Sequence, residues 1–438
     1  MLETALSIGY VSLFLWIIGK SSFYQEDSLK NRTFQWLFLL KVAAGYALFM
    51  VYTKYYPDRK YADIFRYYDD SQIVYQSIFH HPYDFFRMLT GYHQNDSDLR
   101  PYYDAMNNWF NSEMIFNDAR TMIRLNVIFR FFSAGTYYPH SLFFCFLAFT
   151  GLTGMYKIIA SELKKRNRIL LAAIFCMPSV LFWTSGVIKE SFLVFAIGLI
   201  MYFIKNIAEK KGNRRYNLFA ALFFMFCLLN IKSYVFFAIC PGLIAYILVK
   251  RTGSHALLKF AAIHLCYLVG LFFISVTFTH HPLPELLQSK QHEFYKLAEL
   301  EHAKSVIRLP LLNPELSSIL LNAPNAFLVT LFRPHLFESH NSMMLLSALE
   351  NALITILILI NIYFLSTTKQ KHFINSPLLL VSLFFVVITF CLIGLVTPVL
   401  GAVVRYKVAA LPFLMIILLF HDKWQNAFSN FQSGLVKK

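Results

Sequence analysis

Apolar stretches long enough to cross a bilayer alternate with polar loops along this chain, and the basic excess falls on only one alternating set of those loops. A helix that crosses the hydrocarbon layer needs about 20 apolar residues. The candidate spans are 4–19, 33–53, 139–159, 169–184, 188–204, 217–230, 234–249, 259–279, 343–366, 377–397 and 407–421. Basic clusters anchor one side: Lys164, Lys165, Arg166 and Arg168; Lys205, Lys210, Lys211, Arg214 and Arg215; Lys250, Arg251 and Lys259; Lys369 and Lys371; Lys423, Lys437 and Lys438. With this topology the whole formal charge of +16 lies on that side and the other side is balanced. Cytoplasmic loops of multi-pass proteins carry such an excess of Lys and Arg. The predicted fold is therefore all-α: a polytopic integral membrane protein with about 11 transmembrane helices, one transmembrane domain over 1–438. It is placed in the cell inner (cytoplasmic) membrane, with the N-terminus outside and the C-terminus cytoplasmic.

Composition agrees. The 438 residues are 57% hydrophobic and 15% charged, against about 25% charged in soluble domains. The surplus apolar surface requires lipid. Positive charge scattered over short loops argues against nucleic-acid binding. The first apolar stretch lacks a basic start and a small-residue cleavage site, so no removable signal peptide is expected. All six cysteines fall in apolar segments without metal-ligand spacing, which argues against disulfides and a zinc site.

Two long outer loops, 54–138 and 280–342, are expected to carry amphipathic helices lying in the membrane interface. Phe85, Phe86, Met88 and Leu89 form one apolar face. Met122, Leu125, Val127, Ile128 and Phe131 alternate with Arg124, Asn126 and Arg130. Two hydrophobic pairs look broken, one at Thr184-Ser185-Gly186 and one at Asn230-Ile231-Lys232-Ser233. Irregular backbone at such depth must face protein or a wet cavity, so both breaks are expected to border a hydrated vestibule. Pro178 and Pro241 are expected to add kinks.

Four clusters could carry chemistry. Asp63, Asp69 and Asp70, among Tyr61, Tyr67 and Tyr68, could deprotonate an acceptor hydroxyl, hold a divalent cation or border a sugar site; the plainer reading pairs Arg66 with Asp69 or Asp70. Lys189 and Glu190 follow the first break, where an ionisable pair is costly unless used; the plainer reading is a capped helix start. Lys232 sits at the second break. Arg333, His335 and Glu338 precede a span containing Glu350, for which Lys41 is a candidate partner. Arginine suits bidentate phosphate binding, and histidine suits proton transfer; the plainer reading is contact with lipid headgroups. Arg405, Tyr406 and Lys407 could grip a lipid pyrophosphate or merely snorkel to the interface. On this topology Asp63, Lys189, Glu190, Lys232, Arg333, Arg405 and Lys407 reach one outer boundary, where cations suit an anionic lipid head and carboxylates suit a sugar. No phosphate-binding glycine loop, zinc motif or Gly-x-Ser-x-Gly elbow occurs.

The chain resembles bacterial polytopic envelope-polysaccharide proteins, broadly the GT-C type of lipid-linked-sugar glycosyltransferase and the Wzy/EpsG type of polymerase. The resemblance lies in Ala62-Asp63 with Tyr67-Tyr68, in Pro178 through Glu190, in Phe332-Arg333-Pro334 followed by Glu350-Asn351, and in Arg405-Tyr406-Lys407 before Pro412. It implies a catalytic acid in the first large outer loop, matched by Asp63, and polyprenyl-phosphate binding by Lys189, Arg333 and Arg405. The chain departs from the GT-C pattern in placing that loop after the second span. The leading expectation is a membrane glycosyltransferase or glycan polymerase acting at the outer face, with Asp63 or Glu190 as base. Its partners would be a polyprenyl-phosphate lipid, a sugar acceptor and membrane lipids. The alternatives are a flippase or transporter for such a lipid, and a scaffold subunit binding other envelope-assembly proteins.

Overall fold

Residues 1–26, 29, 32–55, 59, 62–107, 117–162, 167–278, 282–367, 375–421 and 423–424 are described by a computed structural model. The anchors Lys164, Lys165, Arg166, Lys369, Lys371, Lys437 and Lys438, and Tyr61 of the first cluster, lie outside the described residues. The helices are α1 Leu2–Lys20, α2 Thr33–Tyr55, α3 Asp63–His80, α4 Pro82–Thr90, α5 Arg100–Asp104, α6 Asp118–Ser133, α7 Tyr137–Glu162, α8 Asn167–Phe175, α9 Pro178–Trp183 and α10 Lys189–Ala208. They continue with α11 Arg214–Ile231, α12 Ser233–Thr252, α13 Ala256–Phe278, α14 Leu283–Leu300, α15 Leu316–Phe332, α16 Ser342–Thr367, α17 Pro377–Val396, α18 Leu400–Tyr406 and α19 Leu411–Leu419. Among the described residues the only extended pairing is a single antiparallel bridge, Val306 with Val399.

Nine helices among the described residues are long and apolar enough to cross a bilayer: α1, α2, α7, α10, α11, α12, α13, α16 and α17. This is the architecture of a multi-pass, all-helical membrane protein. Two of the eleven expected spans differ. Segment 169–184 divides into α8 and α9, because Pro178 opens a new helix rather than kinking one; proline at a helix start loses no hydrogen bond that the helix would otherwise make. Segment 407–421 belongs to a pair, Leu400–Ala409 and Leu411–Leu419, bent by 66°. Pro241 does lie inside α12.

The chain clusters into two compact units. Unit 1 comprises Met1–Met155, Leu181–Ile200 and Ala220–Ser233, and unit 2 comprises Tyr156–Val180, Met201–Phe219 and Tyr234–Lys438.

In unit 1 the first long loop folds into a helical cap. Tyr67, Tyr68 and Val74 of α3, Met88 of α4 and Met122, Ile123 and Val127 of α6 share one buried cluster. The expected amphipathic pattern of α6 is only half right. Ile128 and Phe131 face outward, whereas Asn126 and Arg130 are buried. Their polar atoms are satisfied inside: Arg130 donates to Ser71 Oγ at 2.7 Å, to Gln72 and to the Tyr68 carbonyl. Asn126 Oδ1 lies 2.8 Å from His140 Nε2. A buried polar side chain so paired costs little, and it fixes the neighbours it bonds.

Below the cap, α7 and α10 meet backbone to backbone. A Cβ on Gly198 would collide with the Gly151 backbone, and one on Gly154 would lie 2.9 Å from the Gly198 carbonyl oxygen. Small residues permit such close approach where no hydrophobic force drives helices together. Gly198→Val should therefore destabilise unit 1 by about 1–3 kcal/mol, read as a lower melting temperature in detergent. An unchanged melting temperature would show that these helices do not touch at this point.

In unit 2 the second long loop is not wholly a loop. Its α14 is amphipathic, but α15 is apolar and runs along α17 with Thr330 Oγ1 donating to the Phe390 carbonyl at 2.9 Å. A Cβ on Gly394 would collide with the Ala326 carbonyl. Asn322, Pro324 and Asn325 interrupt its hydrophobic run, and at 17 residues it is shorter than an ordinary span. Gln291 of α14 ties the intervening stretch down by donating to the Leu395 carbonyl at 2.7 Å and accepting from Leu312 N at 3.0 Å.

Candidate functional site

Three helices of unit 1 begin at one place. α10 starts at Lys189, α6 at Asp118 and α3 at Asp63. Lys189 Nζ bonds Asp118 Oδ2 at 2.6 Å and lies 5.6 Å from the centre of the Tyr67 ring. Ala62, Ile64 and Phe65, which flank Asp63, share a buried cluster with Ile188, the residue before Lys189. Each helix N-terminus presents unpaired N–H groups and a partial positive charge. A carboxylate in the first turn is therefore favoured, as at Asp63, Asp118 and Glu190. A lysine there is opposed by the same field, and Asp118 compensates it. The Asn117 side chain sets the start of α6 by accepting from Arg120 N at 2.9 Å.

Behind this pair, Lys232 Nζ stands 3.7 Å from Glu190 Oε1, with side chains 8% and 1% exposed. The ion pair joins the two broken segments expected from sequence. The first break is deep. Lys41 Nζ donates to Thr184 Oγ1 at 2.6 Å and to Ser185 Oγ at 3.2 Å. A Cβ on Gly45 would lie 2.5 Å from the Ser185 carbonyl oxygen, and one on Gly186 2.5 Å from Leu48 Cδ2. The turn thus runs beside residues 41–48 of α2, and Leu48 is about 10 Å short of the end of that helix at Tyr55. The turn is recessed, not flush with the end of α2.

The other acids of the first cluster have partners of their own. Asp63 lies 4.0 Å from Arg66. Asp69 accepts from Arg59 Nε and Nη2, at 2.6 and 2.8 Å, and hydrogen bonding to Asp69 holds the Arg59 guanidinium above its usual range. Asp70 is buried and accepts from Asn107 N at 3.0 Å and Asn107 Nδ2 at 2.7 Å. The plainer reading paired Arg66 with Asp69 or Asp70; its ion pair here is with Asp63, one turn back on the same face. Among the described residues no three His, Cys, Asp or Glu side chains group as a metal site. Asp118 was missed by sequence reasoning. Its signal was available: Asn117-Asp118 precedes the helical pattern of 122–131, as a cap and first-turn acid do.

Unit 2 holds the other candidates. Lys407 is 1% exposed; its Nζ donates to Asn351 Oδ1 at 2.6 Å and to the Thr330 carbonyl at 3.4 Å. Arg405 and Tyr406 remain half-buried, and the Tyr406 ring lies 6.1 Å from Phe294. Residues two apart on a helix do not face each other, and Lys407 is taken up by Asn351, which counts against the two-cation grip raised as one of two readings. Glu350 accepts from Ser179 N at 2.6 Å, and Lys41, raised from sequence as a candidate partner for it, donates to Thr184 and Ser185. Arg333 donates through Nε to Glu338 Oε1 at 2.8 Å, and through Nη2 to the same oxygen. Glu338 Oε2 accepts from His335 N at 2.8 Å. Burial of the Glu338 carboxyl opposes its ionisation, but the Arg333 hydrogen bond prevails and holds it below the usual range. Of the seven residues expected at one boundary, Asp63, Lys189, Glu190 and Lys232 belong to unit 1, and Arg333, Arg405 and Lys407 to unit 2. No protein-family model, curated protein or solved structure matches the chain.

Proposed function

We propose that the chain is a membrane transferase that takes a sugar from a polyprenyl-phosphate donor and passes it to an acceptor hydroxyl at the outer face of the cytoplasmic membrane. The supporting observation is the meeting of three helix starts around Lys189 and Asp118. Helix N-termini favour phosphate, and Lys189 adds a full charge. The lipid phosphate would take over Lys189 from Asp118. The freed Asp118, 39% exposed at its side chain, would then be placed to accept the proton of the acceptor hydroxyl, with Asp63 as the other accessible acid. Glu190 is too enclosed for that role and fits a structural one. The basic loops are read as cytoplasmic, which puts the cap outside.

The test is transfer from a polyprenyl-phosphate-linked sugar by purified protein in vesicles. Asp118→Asn should lower the rate about 100-fold or more, within the usual range for loss of a general base, while donor binding persists. Asp63→Asn should lower it less. Parent-like transfer by Asp118→Asn would remove this carboxylate from the mechanism; loss through Asp63→Asn alone would return the role to Asp63.

A further inference from the structure

The turn after α15 holds a carboxylate in a set of donors of the kind that binds phosphate. Two guanidinium N–H groups of Arg333 and the backbone N–H of His335 all point at Glu338. A forked guanidinium beside a backbone amide is the donor set that phosphate oxygens accept from. The floor of this turn is fixed, because Asn351 Nδ2 donates to the Pro334 carbonyl at 3.1 Å and Lys407 Nζ bonds Asn351 in turn. Its strap is not packed down: Leu336 is 45% exposed and Phe337 is 98% exposed. Besides the Glu338 carboxylate, the strap is held by local bonds to the His335 and Leu336 carbonyls.

We propose that Arg333 and the His335 amide form a binding site for a phosphate or pyrophosphate monoester, and that Glu338 occupies it as a built-in substitute which the ligand displaces. On displacement the Glu338 carboxylate swings out with the 336–338 turn, and no covalent bond changes. The site rests on the lipid-phosphate reading only for the class of ligand. Its residues all lie in unit 2, so its failure is distinct from failure of the Lys189 centre.

The experiment measures binding of farnesyl pyrophosphate and of inorganic pyrophosphate to the full-length protein in phosphatidylcholine nanodiscs by calorimetry. Glu338→Gln should bind at least one probe about tenfold tighter than the parent, because the competing charge is gone while the turn keeps its length. Arg333→Ala should bind that probe at least tenfold more weakly than the parent. A larger gain for the farnesyl compound identifies a lipid headgroup as the natural source; an equal gain identifies the free anion. Both outcomes support the site. Unchanged or weaker binding of both probes by Glu338→Gln overturns it and makes the carboxylate a brace for the turn. Should Glu338→Gln fail to fold, Glu338→Asp serves instead. Its shorter side chain no longer spans both donors, and parent-like or weaker affinity there overturns the proposal equally.

Discussion

Lys232→Met in the full-length protein should lower its stability by about 3–5 kcal/mol, the cost of leaving a buried partner charge uncompensated. The partner is Glu190, 1% exposed at its side chain and held in the first turn of α10. Glu190→Leu should cost a similar amount by stranding Lys232. The double variant Glu190→Leu, Lys232→Met should recover most of the loss, because an apolar pair of similar volume avoids the desolvation that the ion pair suffers. Denaturation of detergent-solubilised protein reads this directly, with the coupling taken from the double-mutant cycle. Additive effects of the two single substitutions would show that these residues do not act as a pair. If the double variant keeps transfer activity, Glu190 is structural and the base lies elsewhere.

Lys189→Ala should weaken donor binding roughly 10- to 150-fold, from the loss of one charge-assisted contact of about 1.5–3 kcal/mol. It also leaves Asp118 without its cation. Asp118 is 39% exposed at its side chain, so hydration tempers the effect on folding, and the binding defect should greatly exceed the stability defect. That asymmetry separates Lys189 from Lys232, whose replacement acts mainly on folding. Equilibrium binding of a polyprenyl phosphate, beside a melting curve for the same preparation, distinguishes the two. Parent-like affinity in Lys189→Ala would end the case for a phosphate site in unit 1.

The membrane character was legible because it depends only on runs of apolar residues, which any bilayer-crossing helix must have. The breaks at Thr184-Ser185-Gly186 and at Lys232 were legible too, since polar and glycine residues interrupt those runs. What the runs could not reveal was who meets whom. Nothing in the spacing says that Lys189 finds Asp118 rather than a ligand, or that Lys407 turns inward to Asn351. Helix α15 escaped notice because Asn322, Pro324 and Asn325 depress its hydropathy, although α17 accepts it along one side. Arg130 and Asn126 looked like the wet face of an interfacial helix. They are buried because helices α3 and α7 supply Ser71, Gln72, the Tyr68 carbonyl and His140 as partners, and a single helix carries no record of such partners.

Helix α1 buries little of itself, yet it is tied to the cap region. Tyr10 donates its hydroxyl to the Phe132 carbonyl at the end of α6 at 2.6 Å, and Glu3 Oε1 accepts from Tyr138 N at 3.2 Å. A helix so exposed adjusts its tilt to the thickness of the surrounding lipid. Through Tyr10 that adjustment bears on α6, whose opposite end carries Asp118. One hydroxyl thus fastens the exposed first span to the helix whose opening turn bears Asp118.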